Sequence, residues 1–206
     1  MKGPPVRSGD QVALLLAYDG SELAGWQLQP DLPTGQGLLE QALATLYGLA
    51  DAGGRVPVVG AGRTDAGVHA LGQVAAYPPP APGGLEELEL GLNALLPASV
   101  RVLRAAVAPS AFHPIRSATG KTYRYRIVNR RVILPFERPW AWHVRAPLRG
   151  ERMARAARRL SGRHDFASFV TAGGQSETTV RDRRRLEVVD AGGYVLVMEA
   201  EPDGFM

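Results

Sequence analysis

The densest group of chemically versatile side chains in the sequence lies between residues 60 and 70. Three glycines accompany a cation, a hydroxyl, a carboxylate and an imidazole there, on Arg63, Thr64, Asp65 and His69. Glycines let the backbone turn tightly and let a ligand come close to the chain, and loops between strands commonly carry binding and catalytic groups. The same spacing also fits a plain strand connection in which Arg63 pairs with Asp65. The segment lacks the Gly-Lys-Ser/Thr ending of a nucleotide-binding phosphate loop.

Hydrophobic periodicity in the first half predicts the elements that must position this loop. They are a strand over 12–18, a helix over 36–50, strands over 56–59 and 73–77, a helix over 85–96 and a strand over 100–107. The order β-α-β-β-α-β is typical of the ferredoxin-like, split β-α-β arrangement, in which two helices cover one face of a four-stranded antiparallel sheet. The loop that carries Asp65 is then predicted to join two central strands.

The second half begins the same pattern again. It shows strands over 122–128 and 140–144, a basic amphipathic helix over 148–160, and strands over 184–189 and 194–200 with a turn at 191–193. The predicted fold class is therefore α+β, with two ferredoxin-like halves, antiparallel sheets and a catalytic cleft between the halves. The predicted domains are residues 1–108, which carry the catalytic loop, and residues 109–206. The second half lacks the helix and strand that complete the first, so it is predicted to be incomplete.

Charge is distributed unevenly along the chain. Residues 1–108 contain six Lys or Arg and ten Asp or Glu, a net charge of −4, whereas residues 109–206 contain 18 and ten, a net charge of +8. Of the 24 basic residues, 22 are Arg, which binds phosphate bidentately and stacks on bases. We therefore expect the second half to bind nucleic acid, although ordinary solvated faces also carry Arg. The candidate contacts are Arg124, Arg126, Arg130, Arg131, Arg152, Arg155, Arg158 and Arg159.

Composition excludes several classes of protein. The 206 residues are 45% hydrophobic and 21% charged, which is typical of a globular chain and not of a disordered or fibrous one. The longest apolar run, residues 12–18, is far shorter than the ~20 residues of a membrane-spanning helix. Cysteine is absent and the four histidines are scattered, so neither a disulfide framework nor a zinc site is predicted. These features predict a cytoplasmic protein without a metal or small-molecule cofactor and without a membrane partner.

Several segments resemble, in order along the chain, the motifs of the TruA family of tRNA pseudouridine synthases. The most specific is Gly-Arg-Thr-Asp-Ala-Gly-Val-His at residues 62–69. The others are residues 18–21, 25–27 and Gln29; Asn93 and Pro97; residues 112–113, 117–119 and 123–125; and residues 165–166 and 168–169. The resemblance extends over residues 11–206. The chain departs from the family pattern at Leu28, where a charged residue is usual. It also departs after Phe112 and His113, where the usual arginine is displaced to position 116 by Pro114 and Ile115.

The resemblance implies an isomerase that converts uridine to pseudouridine at positions 38 to 40 of the tRNA anticodon stem-loop. It implies that Asp65 is the catalytic residue, that Arg63 helps to hold the target nucleotide out of the base stack, and that Tyr123 packs on the uracil ring. An ordinary packing role also fits Tyr123, because it shares a strand face with Tyr125 and Ile127. Family members are homodimers, and a homodimer is implied here.

Two questions stay open at the level of sequence. The carboxylate of Asp65 can stabilise or attack C1′ of the ribose, or it can remove the 2′ proton and lead to a glycal. The alternative functions are a non-catalytic RNA-binding module on the same fold and a glycoside hydrolase that uses Asp65 and Asp19. The carboxylate of Asp65 argues against the RNA-binding module, because binding alone needs no carboxylate near the phosphates. The basic second half argues against the hydrolase, because the hydrolysis of a sugar does not require it. We expect a turn-capping role for Asp19 and a structural role for His69.

The last residues, Gly204, Phe205 and Met206, resemble the start of a further family motif, in which a helix with an active-site arginine follows. In the family that arginine pairs with the catalytic aspartate, here Asp65. We therefore expect the natural chain to continue past Met206. An extended chain is expected to be more stable, because the added helix and strand would cover an apolar sheet face.

Overall fold

The computed structural model describes residues 6–7, 9–169 and 178–202. It divides into two compact units, Met1–Ala118 and Thr119–Met206, which are called the first and the second unit below. Residues 109–118 thus belong with the first unit, whereas the sequence-based division assigns them to the second half. Residues 203–206, which resemble the start of a further family motif, lie outside the described residues.

In its described residues the first unit combines four strands and two helices. They are β1 (Gln11–Tyr18), α1 (Gly35–Leu46), β2 (Val59–Gly60), β3 (Ala70–Tyr77), α2 (Leu85–Leu95) and β4 (Val100–Ala108), with a 3₁₀ turn at Ala50–Ala52. The strand order is β2-β3-β1-β4, and each neighbouring pair is antiparallel. This chain order and strand order define a ferredoxin-like fold, which confirms the predicted fold class for this unit.

The core of the first unit lies between the sheet and its two helices. Leu14 and Leu16 of β1 are fully buried and alternate with less buried neighbours, as the period-two pattern predicts. They belong to one cluster with Leu39 and Leu43 of α1 and Leu92 of α2, all without exposed surface. Full burial of such side chains stabilises the fold by about 1.5–3 kcal/mol each. The cluster therefore fixes the sheet that carries both ends of the 60–69 loop.

Helix α1 ends earlier than predicted. It begins after Thr34, whose hydroxyl accepts a hydrogen bond from the Gly37 amide at 3.1 Å, as in a standard N-cap. It ends at Leu46 and not at residue 50, because Gly48 adopts a positive φ of 67° just beyond the helix. A glycine in this left-handed conformation is a common helix stop.

Strand β2 is shorter than predicted and lies at the sheet edge. Only Val59 and Gly60 pair with β3, whereas a strand over 56–59 was expected. The backbone of Val58 instead bonds to side chains of α1: its amide donates to Glu40 at 2.9 Å, and its carbonyl accepts from Gln36 at 3.1 Å. The prediction that the 60–69 loop joins two central strands is therefore wrong, since it joins an edge strand to a central one.

The second unit contains one helix and a five-stranded sheet in its described residues. Its elements are β5 (Tyr123–Val128), β6 (Trp142–His143), α3 (Gly150–Leu160), β7 (Gly162–Asp165), β8 (Val180–Gly192) and β9 (Val195–Pro202), with 3₁₀ turns at Arg138–Trp140 and Ala167–Phe169. The strand order is β6-β5-β9-β8-β7. Strand β7 was not predicted, and β6 pairs parallel to β5 where an antiparallel sheet was expected.

The order of β5, α3, β8 and β9 reproduces the first part of a ferredoxin-like unit. Strand β9 lies between β5 and β8 and is antiparallel to both, as the third strand of that fold is to the first and second. Helix α3 covers this sheet through Ala157, which clusters with Leu186 and Ala200. The β8–β9 hairpin turns at Gly193 and Tyr194, which both have positive φ, as in the tight turns that suit antiparallel strands.

None of the helices in the described part of the chain has the length and apolar character that a bilayer crossing requires.

Candidate active site

The 60–69 loop presents Arg63 and Asp65 at its exposed tip. Both side chains are exposed. Directly after them the Val68 amide donates to the Asp65 carbonyl at 3.1 Å, and Gly67 adopts a φ of 79°. These features close a tight turn behind Asp65. The carboxylate therefore projects from a short, folded loop and not from a long flexible one.

Thr64 anchors the loop on one side of Asp65. Its hydroxyl lies 2.8 Å from the hydroxyl of Tyr18, the last residue of β1. Its carbonyl accepts a hydrogen bond from the Trp26 amide at 2.9 Å. Side chain and backbone of the residue before Asp65 are thus both bonded to the segment that follows β1.

Gly20 and His69 anchor the loop on the other side. The Gly20 amide donates to Nδ1 of His69 at 3.1 Å. A Cβ atom built on Gly20 would lie 2.1 Å from the Val68 carbonyl oxygen, closer than real Cβ atoms approach any atom. Only glycine therefore permits this contact between the two segments, and the structural role expected for His69 is confirmed.

Trp26 forms the floor beneath the loop. Its side chain is 3% exposed, and its ring stacks on Tyr18 with 6.0 Å between centroids. It lies so close to Gly60 and Gly35 that a Cβ on either would collide with the indole. This burial shows that Trp26 packs locally, in the core of the first unit.

A buried polar cluster ties the entry of the loop to α1. Gln36 and Glu40, 8% and 4% exposed, bond to one another at 2.8 Å and to the backbone of Val58. Arg55 pairs with the second Glu40 oxygen at the surface. Sequence reasoning missed this cluster, although the i, i+4 spacing of Gln36 and Glu40 on an apolar helix was a usable signal.

No described group neutralises the carboxylate of Asp65. Among residues 6–7, 9–169 and 178–202, neither Asp65 nor Arg63 forms an ion pair within 4.0 Å. This disfavours the interpretation of the loop as a strand connection fastened by an Arg63–Asp65 bridge. The exposed carboxylate of Asp65 is thus available to a substrate whose reaction develops positive charge.

Asp19 caps the turn that follows β1. Its Oδ1 atom accepts from the Ser21 amide at 2.9 Å and from the Ser21 hydroxyl at 2.7 Å, and it lies 3.0 Å from His69 Nδ1. These hydrogen bonds, above all the one from the Ser21 hydroxyl, lower the pKa of Asp19. The turn-capping role is confirmed. A carboxyl with a lowered pKa is a poor general acid, so Asp19 is not suited to the acid role in a glycoside hydrolase.

Tyr123 lies in the second unit, at the start of β5. It is half-buried and stands opposite Ala200 of β9. Ala200 belongs to the cluster that α3 covers, so Tyr123 lies on the helix-covered face of the sheet together with Tyr125 and Ile127. Both the stacking role and the packing role remain compatible with this position.

The predicted basic surface separates into paired and unpaired arginines. Arg124 faces Glu199 across β5 and β9, with 2.6 Å between Nη2 and Oε1. Arg126 and Arg130 both pair with Glu137, whose pKa they lower. Arg152, Arg155, Arg158 and Arg159 of α3 are exposed and make no ion pair within the part of the chain that the structure describes.

No group of three His, Asp or Glu residues in the described ranges could hold a metal ion. The candidate site therefore consists of a carboxylate, a nearby cation and the hydroxyl and amide groups that fix their loop.

Three curated relatives illustrate what the chain is similar to. A protein of Myxococcus xanthus named tRNA pseudouridine synthase A is 42% identical over 196 residues, which cover 95% of this chain and 72% of that protein. Proteins with the same name from Syntrophotalea carbinolica and Geobacter sulfurreducens are 42% and 43% identical over 95% of this chain, and the matches cover 75% and 78% of their lengths. No family model matches the chain.

The contact of Gly20 with the loop predicts that Gly20→Ala destabilises the fold. The new Cβ would force the Val68 carbonyl away, so we expect a loss of about 1–3 kcal/mol in the free energy of unfolding. Gly83→Ala is the matched control, since no atom lies within 4 Å of its Cβ position and its φ is not in the left-handed region. Urea denaturation measures both variants, and equal stability of the two would contradict the described contact.

Proposed function

The chain belongs to the tRNA pseudouridine synthase A family, and on that premise we propose that it isomerises uridine to pseudouridine at positions 38 to 40 of the tRNA anticodon stem-loop, with Asp65 as the catalytic residue. The single observation that carries the site assignment is the exposed carboxylate of Asp65, without an ion-pair partner among the described residues, on a loop fixed at both ends.

The proposed reaction rearranges bonds without consuming a second substrate. The N1–C1′ glycosidic bond breaks and its electron pair stays on the uracil, a C5–C1′ bond forms, C5 loses its proton, and N1 gains one. Cleavage of the glycosidic bond develops positive charge on the ribose. The carboxylate of Asp65 stabilises that charge by adding to C1′, or it removes the 2′ proton on the route through a glycal. Both routes need the charged form of Asp65, and neither needs a cofactor.

Two further residues complete the proposed substrate site. Arg63 lies two positions before Asp65 and is exposed, so its guanidinium can bind the phosphate of a nucleotide that has left the base stack. Tyr123 is proposed to pack on the uracil ring, where stacking of a base on an aromatic ring contributes about 1–3 kcal/mol.

The second unit is proposed to supply the phosphate-binding surface. The unpaired arginines Arg152, Arg155 and Arg159 follow the spacing i, i+3, i+7 and therefore share one face of α3. That face is turned away from the buried Ala157. Arginines that already pair with glutamate, such as Arg124, have less to gain from a phosphate, because binding would first have to break the pair.

A homodimer in the cytoplasm is proposed as the working form. The resemblance to the family supports both statements. Two exposed aromatic side chains add support for the dimer: Phe136, between β5 and β6, is 85% exposed and Trp142, in β6, is 64% exposed, and large exposed apolar side chains are typical of surfaces that associate.

Asp65→Asn is expected to abolish pseudouridine formation on an unmodified tRNA transcript while tRNA binding and the unfolding midpoint stay unchanged. The amide keeps the shape of the side chain but removes both its charge and its nucleophilicity. Chemical mapping of pseudouridine gives the readout. Asp51→Asn, at an exposed aspartate in the 3₁₀ turn after α1, is the matched control and is expected to leave activity intact.

Near-normal activity of Asp65→Asn would contradict the assignment of the catalytic residue. A wild-type chain that binds tRNA tightly but forms no pseudouridine would favour the alternative function, a non-catalytic RNA-binding module.

Removal of the free arginines of α3 is expected to weaken tRNA binding in a salt-dependent way. Each lost phosphate contact lowers the slope of log Kd against log salt by about 0.9, so Arg155→Gln with Arg159→Gln is expected to lower it by about 2. The matched control is Arg101→Gln with Arg104→Gln in the acidic first unit. Filter retention across a salt series measures tRNA binding by both double variants. Equal effects of the two double variants would contradict the proposed surface.

A further inference from the structure

The hydroxyl of Tyr18 lies buried directly beneath the proposed catalytic loop. Tyr18 ends β1 and is 4% exposed. Its hydroxyl oxygen is 2.8 Å from Thr64 Oγ1, and Thr64 immediately precedes Asp65. The hydrogen bond therefore connects β1, one of the two central strands of the sheet, to the residue next to the proposed catalytic carboxylate.

A second side chain from the neighbouring strand reinforces this contact. Gln73 of β3 is 9% exposed and lies opposite Leu16 of β1. Its Nε2 donates to the Gly62 carbonyl at 2.8 Å. Burial raises the pKa of Tyr18, and the hydrogen bonds of its hydroxyl with Thr64 and Gln73 oppose that rise. The two loop residues that accept or share these hydrogen bonds are Gly62 and Thr64, and they flank Arg63.

We propose that the Tyr18 hydroxyl is a positioning group, which sets the place of Asp65 by fixing Thr64 through their hydrogen bond. The proposal rests on the proposed role of Asp65. Thr64 has one side-chain torsion that places its hydroxyl, so a fixed Oγ1 atom leaves little freedom to the adjoining peptide. A displacement of about 1 Å at a reacting group can lower the rate by ~100-fold. The hydroxyl thereby contributes to the rate without touching the substrate.

The hydroxyl and the ring of Tyr18 have separate functions. The ring packs in the core and stacks on Trp26 at an interplanar angle of 24°. Tyr18→Phe keeps this packing and removes only the oxygen. An effect of that variant on catalysis therefore reports on the hydrogen bond and not on a cavity.

Tyr77 provides a matched control within the same core. It is fully buried, and its hydroxyl lies 3.1 Å from that of Tyr47. Burial raises the pKa of Tyr77, as it does for Tyr18. Tyr77→Phe thus also deletes a hydroxyl from a buried pair, but this pair joins α1's C-terminal end to β3 and not to the 60–69 loop.

The test measures kcat and KM for pseudouridine formation on an unmodified tRNA transcript with the full chain. Tyr18→Phe and Thr64→Val are expected to lower kcat by about 10- to 100-fold with KM changed less than about twofold. Thr64→Ser is expected to restore kcat, because it keeps the hydroxyl. Tyr77→Phe is expected to stay within about twofold of the wild type, and the double variant of Tyr18 and Thr64 to be no slower than the slower single one.

Equal effects of Tyr18→Phe and Tyr77→Phe, or a Tyr18→Phe defect confined to KM, would overturn the proposal. Unfolding midpoints of both variants are measured alongside, and they are expected to fall by similar amounts because each loses one buried hydroxyl bond. Asp65→Asn, measured in the same assay, distinguishes a failure of the positioning role of Tyr18 from a failure of the catalytic role of Asp65. If Asp65→Asn is inactive and Tyr18→Phe has the wild-type kcat, the positioning role alone fails; if Asp65→Asn is active, the catalytic assignment fails and the positioning role with it.

Discussion

The close contact between the end of β1 and the 60–69 loop is the constraint on which the site depends. Over residues 18–26 the chain meets the loop through a hydroxyl pair at Tyr18, a glycine without room for a side chain at Gly20, and the amide of Trp26. Backbone atoms make the contacts at Gly20 and Trp26, and side-chain hydroxyls make the one at Tyr18, so the two segments lie directly against one another. The loop therefore takes its shape from the sheet and leaves its charged side chains free for a ligand.

The arginines of the second unit fall into two groups, those that pair with glutamate and those that form no ion pair in the described residues. Arginines on β5 are neutralised by glutamates of β9 and of the β5–β6 segment, as Arg124 is by Glu199. These ion pairs, in which the glutamates are only 18% and 21% exposed, remove cations from the surface that a polyanion would meet. Helix α3 keeps its arginines unpaired in the described residues and so supplies a basic face. The net charge of a segment alone does not distinguish these two groups.

The sequence predicted the first unit well because its patterns are local. Alternation at Leu14 and Leu16 and helical spacing in α1 and α2 follow from burial of one face, and burial dominates the energetics. Prediction from the sequence failed where contacts between segments distant in the chain determine the structure. Val58 satisfies its backbone through Gln36 and Glu40 rather than through a strand partner, and the Tyr18–Thr64 bond joins residues 46 positions apart. The motif at residues 62–69 marked the loop, but no pattern in the sequence showed what holds it.

Amide hydrogen exchange at the loop contacts tests most directly the claim that the sheet holds the 60–69 loop in a fixed shape. The decisive amides are those of Trp26, which donates to Thr64, and of Ala61, which donates to Val74. The account predicts that both exchange about as slowly as the β1 amides of the core, because they open only when the unit unfolds. Exchange at the rate of an unstructured peptide, with β1 still protected, would contradict it.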